Sequence, residues 1–332
     1  MLRQHSLPWF SAIAMRSVGN LLSPGGRRAR LTILIYHRVL THPDPLLSDE
    51  YDKESFAWQV RLLAEHFNVL GLTEAIERMN RGSLPSRAVC LTFDDGYLDN
   101  VENALPILMK HKVRATFFIS SGFLDGSCMW NDVLIETVRQ AEGQLLDLTG
   151  CGLEIYPIAT PEERGQAVQS LLNAIKYLEP AERQRKIDQI LAQSGATRSR
   201  DLMVRPDHIR RLAQAGMEIG GHTVTHPILT RITPQAARSE IADGKEALEG
   251  IIREPVRLFA YPNGVPGRDY SDEHVKMVKD LGFKAAVSTA PGAATTLSQP
   301  YQLPRFDSWA STPTRFTLHL LQNYTRTSSD VV

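Results

Sequence analysis

The chain has 332 residues, 42% of them hydrophobic, enough to bury a full core in one large domain or two small ones. Lys+Arg and Asp+Glu balance at 37 each, which excludes a global field that would favour nucleic acid. The three cysteines, Cys90, Cys128 and Cys151, have no metal-type spacing; they read as small hydrophobes in a reducing compartment, not as a disulfide framework.

In chain order, the first feature is "LPWFSAIAM" (7–15), a short apolar stretch flanked by Arg3 and Arg16, followed by Arg27, Arg28 and Arg30. It lacks the apolar length and the small-x-small site of a signal peptide. Residues 1–30 read as a cationic, loosely ordered arm, or alternatively as an amphipathic helix resting on the inner membrane face. No run approaches the roughly 20 apolar residues a spanning helix needs.

Downstream, short apolar runs alternate with helical stretches. "LTILIYH" (31–37), "AVCLTF" (88–93), "ATFFIS" (115–120), "MEIGGH" (217–222), "RLFAYP" (257–262) and "KAAVST" (284–289) read as buried parallel strands. Between them, Phe56, Val60, Leu63 and Phe67 recur at helical spacing. A second helix starts from a Thr233 cap with Pro234 at its first position, and a third runs from Ser271 to a stop at Gly282. Residues 126–205 hold no convincing strand and read as a helical insertion. The C-terminal 313–332 reads as an amphipathic helix and tail. This β-α alternation argues for a closed or nearly closed α/β barrel over residues 31–312.

In such barrels the chemistry sits at the C-terminal ends of the strands. Those ends deliver His37, the pair Asp94 and Asp95, His222, and the turn "YPNG". In "GGHTVTHP" the four-residue spacing of His222 and His226 places two imidazoles on one face of a helical turn. With one Asp from another strand end they form a two-histidine, one-carboxylate set that leaves a coordination position open, the layout of a catalytic metal site. If Asp95 ligates the metal, Asp94 is free to take a proton from the attacking water. Trp130 and Trp309 are candidate walls for a sugar or acyl group, although aromatic residues more often pack in the core.

"LTFDDGY", "HTVTHP" and "FAYPNG", in this order and separated by strands, resemble the polysaccharide deacetylase family that carries the NodB homology domain (carbohydrate esterase family 4). The resemblance spans residues 31–310, with the helical insertion outside the usual core. It implies a distorted (β/α)7 barrel that hydrolyses N-acetyl groups of amino sugars with a divalent metal, usually Zn2+. It also implies that Asp94 is the base, that Asp95, His222 and His226 are the metal ligands, and that the Asn263 N–H is an oxyanion donor.

Two departures stand out. Many members carry an arginine that orients the catalytic Asp where this chain has Ala260 and Tyr261 before Pro262; Arg305 in "LPRFDSW" is the candidate replacement. The family's late histidine is also missing, since His319 in "FTLHLLQ" sits on an amphipathic helix and reads as structural. "ILIYHRV" instead resembles the circularly permuted exopolysaccharide deacetylases, which implies that His37 protonates the leaving amine. The expected substrate is therefore an N-acetylated glycan, either a polysaccharide or its lipid-linked precursor. The expected location is the cytoplasm, peripheral to the inner membrane through the N-terminal arm. The competing readings are a deformylase or other amide hydrolase on this scaffold, a catalytically silent glycan-binding protein, and an interaction protein docking through the insertion.

Overall fold

The structure, a computed structural model, describes residues 9–308, 310–326 and 331–332. Six parallel strands form the body of a curled sheet: β1 (Leu31–Tyr36), β2 (Ala88–Phe93), β3 (Thr116–Ile119), β4 (Glu218–Gly221), β5 (Leu258–Ala260) and β6 (Ala285–Val287). They pair in chain order, with Leu31 opposite Ala88, Phe93 opposite Phe117, Ile119 opposite Gly221, Phe259 opposite Gly221, and Leu258 opposite Ala285. A short strand, Asn68–Val69, adds to the first half of β2.

The gap between β6 and β1 is bridged by residues 303–306. Leu303 N–H donates to Ala286 O at 2.9 Å, and Phe306 N–H donates to Ile33 O at 2.8 Å. This segment acts as a seventh stave and curls the sheet into the distorted (β/α)7 barrel. It is too short, and too interrupted by Pro304, to read as a strand from sequence.

Side-chain alternation sorts the core into two layers. Leu31, Ile33, Cys90, Phe118, Leu258, Ala260, Val287 and Leu303 pack together inside the barrel. Their neighbours Leu34, Tyr36, Leu91, Phe93, Phe117, Phe259 and Phe306 pack outward beneath the helices. Gly220 makes room for this inner layer, since a Cβ there would fall 2.4 Å from the Phe118 ring. The same parity continued past each strand end puts His37, Asp94, His222 and Arg305 over the barrel mouth.

Of the arm and the helix weighed for 1–30, the structure has a helix at Trp9–Leu22, which buries Met15 and packs beside the helix Pro313–Asn323, while Ile13, Val18 and Leu21 are exposed. Residues 1–8 lie outside the described residues. Among the described residues no helix is long and apolar enough to cross a membrane.

The expectation of a purely helical 126–205 insertion needs correction. Beside helices Trp130–Gln140, Pro161–Ile175 and Pro180–Ser194 it holds an antiparallel pair, Leu145–Asp147 with Ile155–Pro157. Each strand has three residues with only the middle one buried, too little for a period of two to register. The insertion has its own core of Val133, Leu134, Val138, Leu171, Ile175, Ile187 and Ile190, and it also buries Cys128 and Cys151. All three cysteines are free and buried.

Candidate active site

A cleft of about 500 Å³ opens at the C-terminal ends of the strands, lined by His37, Asp94, Asp95, His222, His226 and Asn263. All six residues that the sequence assigned to this rim therefore meet. Arg305, the seventh, reaches the same place from beneath.

The backbone turns sharply where the ligand candidates sit. Asp95 (φ 73°), Thr223 (φ 65°), His226 (φ 55°) and Asn263 (φ 57°) all occupy the left-handed region, unfavourable for residues with a Cβ and rarest for a β-branched threonine. Such conformations cost on the order of 1–3 kcal/mol each and persist only where the surroundings impose them. At Asp95 the left-handed turn separates two adjacent carboxylates: Asp94 continues the inward parity of β2, and Asp95 swings toward the histidines.

The histidine turn is held from several sides. Thr223 Oγ1 accepts the His226 N–H at 3.1 Å, while Ser121 and Gly122 donate their N–H groups to Thr223 O and Val224 O. From the helix Pro234–Ile252, Glu240 accepts the N–H groups of Val224 and Thr225, each at 2.8 Å, and the Thr225 hydroxyl at 2.7 Å. On the same helix Gly244 lies against Thr223, where a Cβ would sit 2.9 Å from its carbonyl. Glu240 is a positioning residue that sequence reasoning missed, because nothing distinguishes it from other polar residues of a half-exposed helix. Glu240→Ala is expected to weaken metal retention roughly 10–100-fold, measured by chelator competition, with Glu240→Gln falling between it and the wild type.

His222 Nδ1 lies 2.7 Å from Ala260 O. A carbonyl only accepts, so Nδ1 carries a proton, and in the neutral tautomer the lone pair lies on Nε2. That Nε2 and the Nε2 of His226 each lie 3.4 Å from Asp95 Oδ1. Burial pushes His226 down to about 4, with Asp95 opposing, so its imidazole is neutral at pH 7. Burial would push Asp95 up, but attraction to His226, His222 and His37 in their protonated forms outweighs it and shifts the carboxyl below the usual range. Asp95 Oδ1 is buried with no hydrogen-bond partner.

Lone-pair atoms facing an orphaned carboxylate oxygen fit a divalent cation among them. The three ligand atoms lie within 4.8 Å of one another, and donors around a tetrahedral zinc with bonds of 2.0–2.2 Å stand about 3.4 Å apart.

Asp94 is gripped differently. Arg305 donates from both terminal nitrogens to its two oxygens, at 2.6 and 2.7 Å, and from Nε to Ser288 O at 2.9 Å. The Arg305 side chain is wholly buried. Burial works against ionisation of Asp94, but the guanidinium more than offsets it and holds the carboxyl below the usual range. His222 Nε2 is 4.0 Å away. The missing arginine of the third motif is thus replaced in space by one from the closing stave.

His37 is shifted up: burial would lower it, and the charges of Asp95, Glu50 and Asp94 together override that. It is therefore inclined to hold a proton at the mouth of the cleft. Asn263 O accepts the Thr289 hydroxyl at 2.8 Å; among the described residues the Asn263 N–H has no acceptor.

Trp130 and Asn131 from the insertion line the cleft, with Gln169, Leu172, Asn173 and Lys176 from its second helix and Tyr97 beside β2. Tyr97 donates to Asp132, which burial pushes up to about 7. The insertion thus forms a wall of the site; Trp130 is the one part of it that the sequence offers, and Asn131, Gln169, Leu172, Asn173 and Lys176 carry no such signal. Trp309 lies outside the described residues. His319, 3.3 Å from Ser308 Oγ, does not line the cleft.

The polysaccharide deacetylase family model matches residues 81–286. The Bacillus subtilis (strain 168) protein YxkH, named as a polysaccharide deacetylase, is 24% identical over 279 residues, covering 83% of this chain and 71% of its own. A Staphylococcus aureus (strain N315) poly-β-1,6-N-acetyl-D-glucosamine N-deacetylase is 38% identical over 71 residues, 21% of this chain and 24% of the relative. Among solved structures, the Streptococcus pyogenes deacetylase PplD in complex with acetate shares 20% identity and a TM-score of 0.59 over 89% of this chain and 98% of its own. IcaB from Ammonifex degensii shares 18% identity and a TM-score of 0.57 over 92% and 99%. With the family model matching residues 81–286, well over half of the chain, and the fold shared over about nine-tenths of it, this chain belongs to the polysaccharide deacetylase family.

Proposed function

We propose that the protein is a metal-dependent hydrolase that removes N-acetyl groups from the amino sugars of a polysaccharide or its lipid-linked precursor. The observation that carries this reading is the division of labour between two adjacent carboxylates. Asp95 faces two imidazole nitrogens with an orphaned oxygen, and Asp94 is paired with a buried arginine and turned toward the same cleft.

Asp95, His222 and His226 would hold the cation, which when bound polarises the amide carbonyl and acidifies water. Asp94 takes the proton of the attacking water, its ionised form maintained and its plane fixed by the Arg305 fork. The Asn263 N–H faces the developing negative charge on the amide oxygen. His37 donates its proton to the departing amine, and the neighbouring carboxylates that favour its protonated form suit it to that step. Trp130 and the insertion wall limit access of bulk water to the reacting amide.

The direct test incubates zinc-loaded protein with N-acetylated oligosaccharides and lipid-linked precursors, reading acetate release and new free amines by mass spectrometry. Chelation is expected to abolish turnover and a divalent metal to restore it. Turnover that survives exhaustive chelation overturns the metal-dependent reading.

A further inference from the structure

Charges of both signs line the cleft. Asp49 and Glu50 line it with His37, and Asp49 also lines a neighbouring cavity with Gln166 and Gln169 of the helix Pro161–Ile175. About 10 Å beyond Gln169 along that helix axis, its C-terminal end delivers Lys176 to the cleft.

Lys176 does not stand alone. The Tyr177 ring gathers three cations: Lys176 Nζ at 5.8 Å, Arg231 Cζ at 5.6 Å and Arg268 Cζ at 5.8 Å from its centroid. Arg231 follows the turn that carries His226, and Arg268 follows the turn that carries Asn263. Arg268 is committed to the buried Asp269 at 3.2 Å. Among the described residues, Lys176 and Arg231 make no ion pair. Three positive groups therefore gather round Tyr177, and only Arg268 among them is paired with a carboxylate. Burial, reinforced by Arg268, pushes the Lys176 ammonium below the usual lysine range despite Asp269. A cation in that condition gains from an added anion.

We propose that this cluster of Lys176, Arg231 and Arg268 is an anion subsite, so that the enzyme acts on a glycan bearing a phosphate or carboxylate near the acetylated sugar. This rests on the deacetylase reading above. The insertion supplies Lys176, which lines the cleft, and Tyr177 behind it, while the arginines come from the chain just after the His226 and Asn263 turns and lie outside the cleft lining. The subsite orients the substrate, with the anionic group toward Lys176 and the amide toward His37.

The test uses the zinc-loaded full chain and three substrates: a neutral N-acetylglucosamine oligomer, the same oligomer with a terminal phosphate monoester, and one with a uronate carboxylate. The ratio of kcat/KM for charged over neutral substrate is expected to be about tenfold or more in the wild type. It should fall toward unity in Lys176→Ala and in Arg231→Ala, and fall with added salt. A preference for the phosphate alone assigns that group, and an equal preference for both assigns a general anion site. Calorimetric binding of the phosphorylated and neutral oligomers to wild type and Lys176→Ala reads the subsite independently of turnover. Absence of turnover on all three substrates would therefore fail the deacetylase reading and leave the binding ratio to judge the subsite. Equal binding of neutral and charged oligomers, or a preference surviving in both variants, overturns the proposal.

Discussion

Asp94→Asn is expected to lower kcat by about 10²–10⁴-fold while metal binding persists. The amide cannot accept the water's proton, yet it fills the same volume, and the proposed ligands Asp95, His222 and His226 are untouched. The variant also carries a structural cost, because Arg305 is fully buried and its two terminal nitrogens are satisfied by the Asp94 oxygens. An asparagine offers one acceptor and turns an N–H toward the other guanidinium nitrogen. Breaking a buried pair from one side costs on the order of 3–5 kcal/mol. Chemical denaturation should therefore show a loss of stability that Asp94→Asn combined with Arg305→Met partly restores, with no recovery of activity. A single variant of wild-type rate would refute the role of base, and a double variant less stable than the sum of the singles would refute the pairing argument.

The position of this pair explains how much the sequence revealed. Four strand ends were legible because each strand is a continuous apolar run closed by an ionisable or turn residue. The period of two then carried His37, Asp94 and His222 to the barrel mouth. Arg305 was reachable only as a guess from sequence, since its stave is four residues long and makes sense only once β6 and β1 are known to face each other across a gap. Glu240 and Lys176 gave no signal at all. Each is a charged residue on or at the end of a helix, and what sets it apart is the loop it meets in space. The left-handed Asp95 and His226 were equally invisible, because neither residue type announces a positive φ. The insertion hairpin escaped because its strands bury one side chain each.

Arg305→Ala is the complementary experiment, and its expected signature lies in pH dependence. In the wild type the Asp94 carboxyl is depressed. It thus contributes stability that is present above its unfolded pKa of about 3.9 and lost as pH falls through the lower folded value. Without the guanidinium, burial is no longer outweighed, so the folded pKa rises and that contribution shrinks or reverses across the acidic range. The proposed base Asp94 can act only when ionised, so the acid limb of the kcat/KM profile should move to higher pH. The freed carboxylate also loses its fixed orientation, and at neutral pH a misplaced catalytic group costs about 10²-fold. Arg305→Lys separates the two effects: an ammonium keeps the charge but not the fork, so the acid limb should stay nearer the wild-type position while kcat still falls. Metal retention should be little changed in both variants, because Arg305 touches none of the three proposed ligands. An Arg305→Ala enzyme with normal kcat/KM and an unmoved acid limb would show that the closing stave does not tune the base.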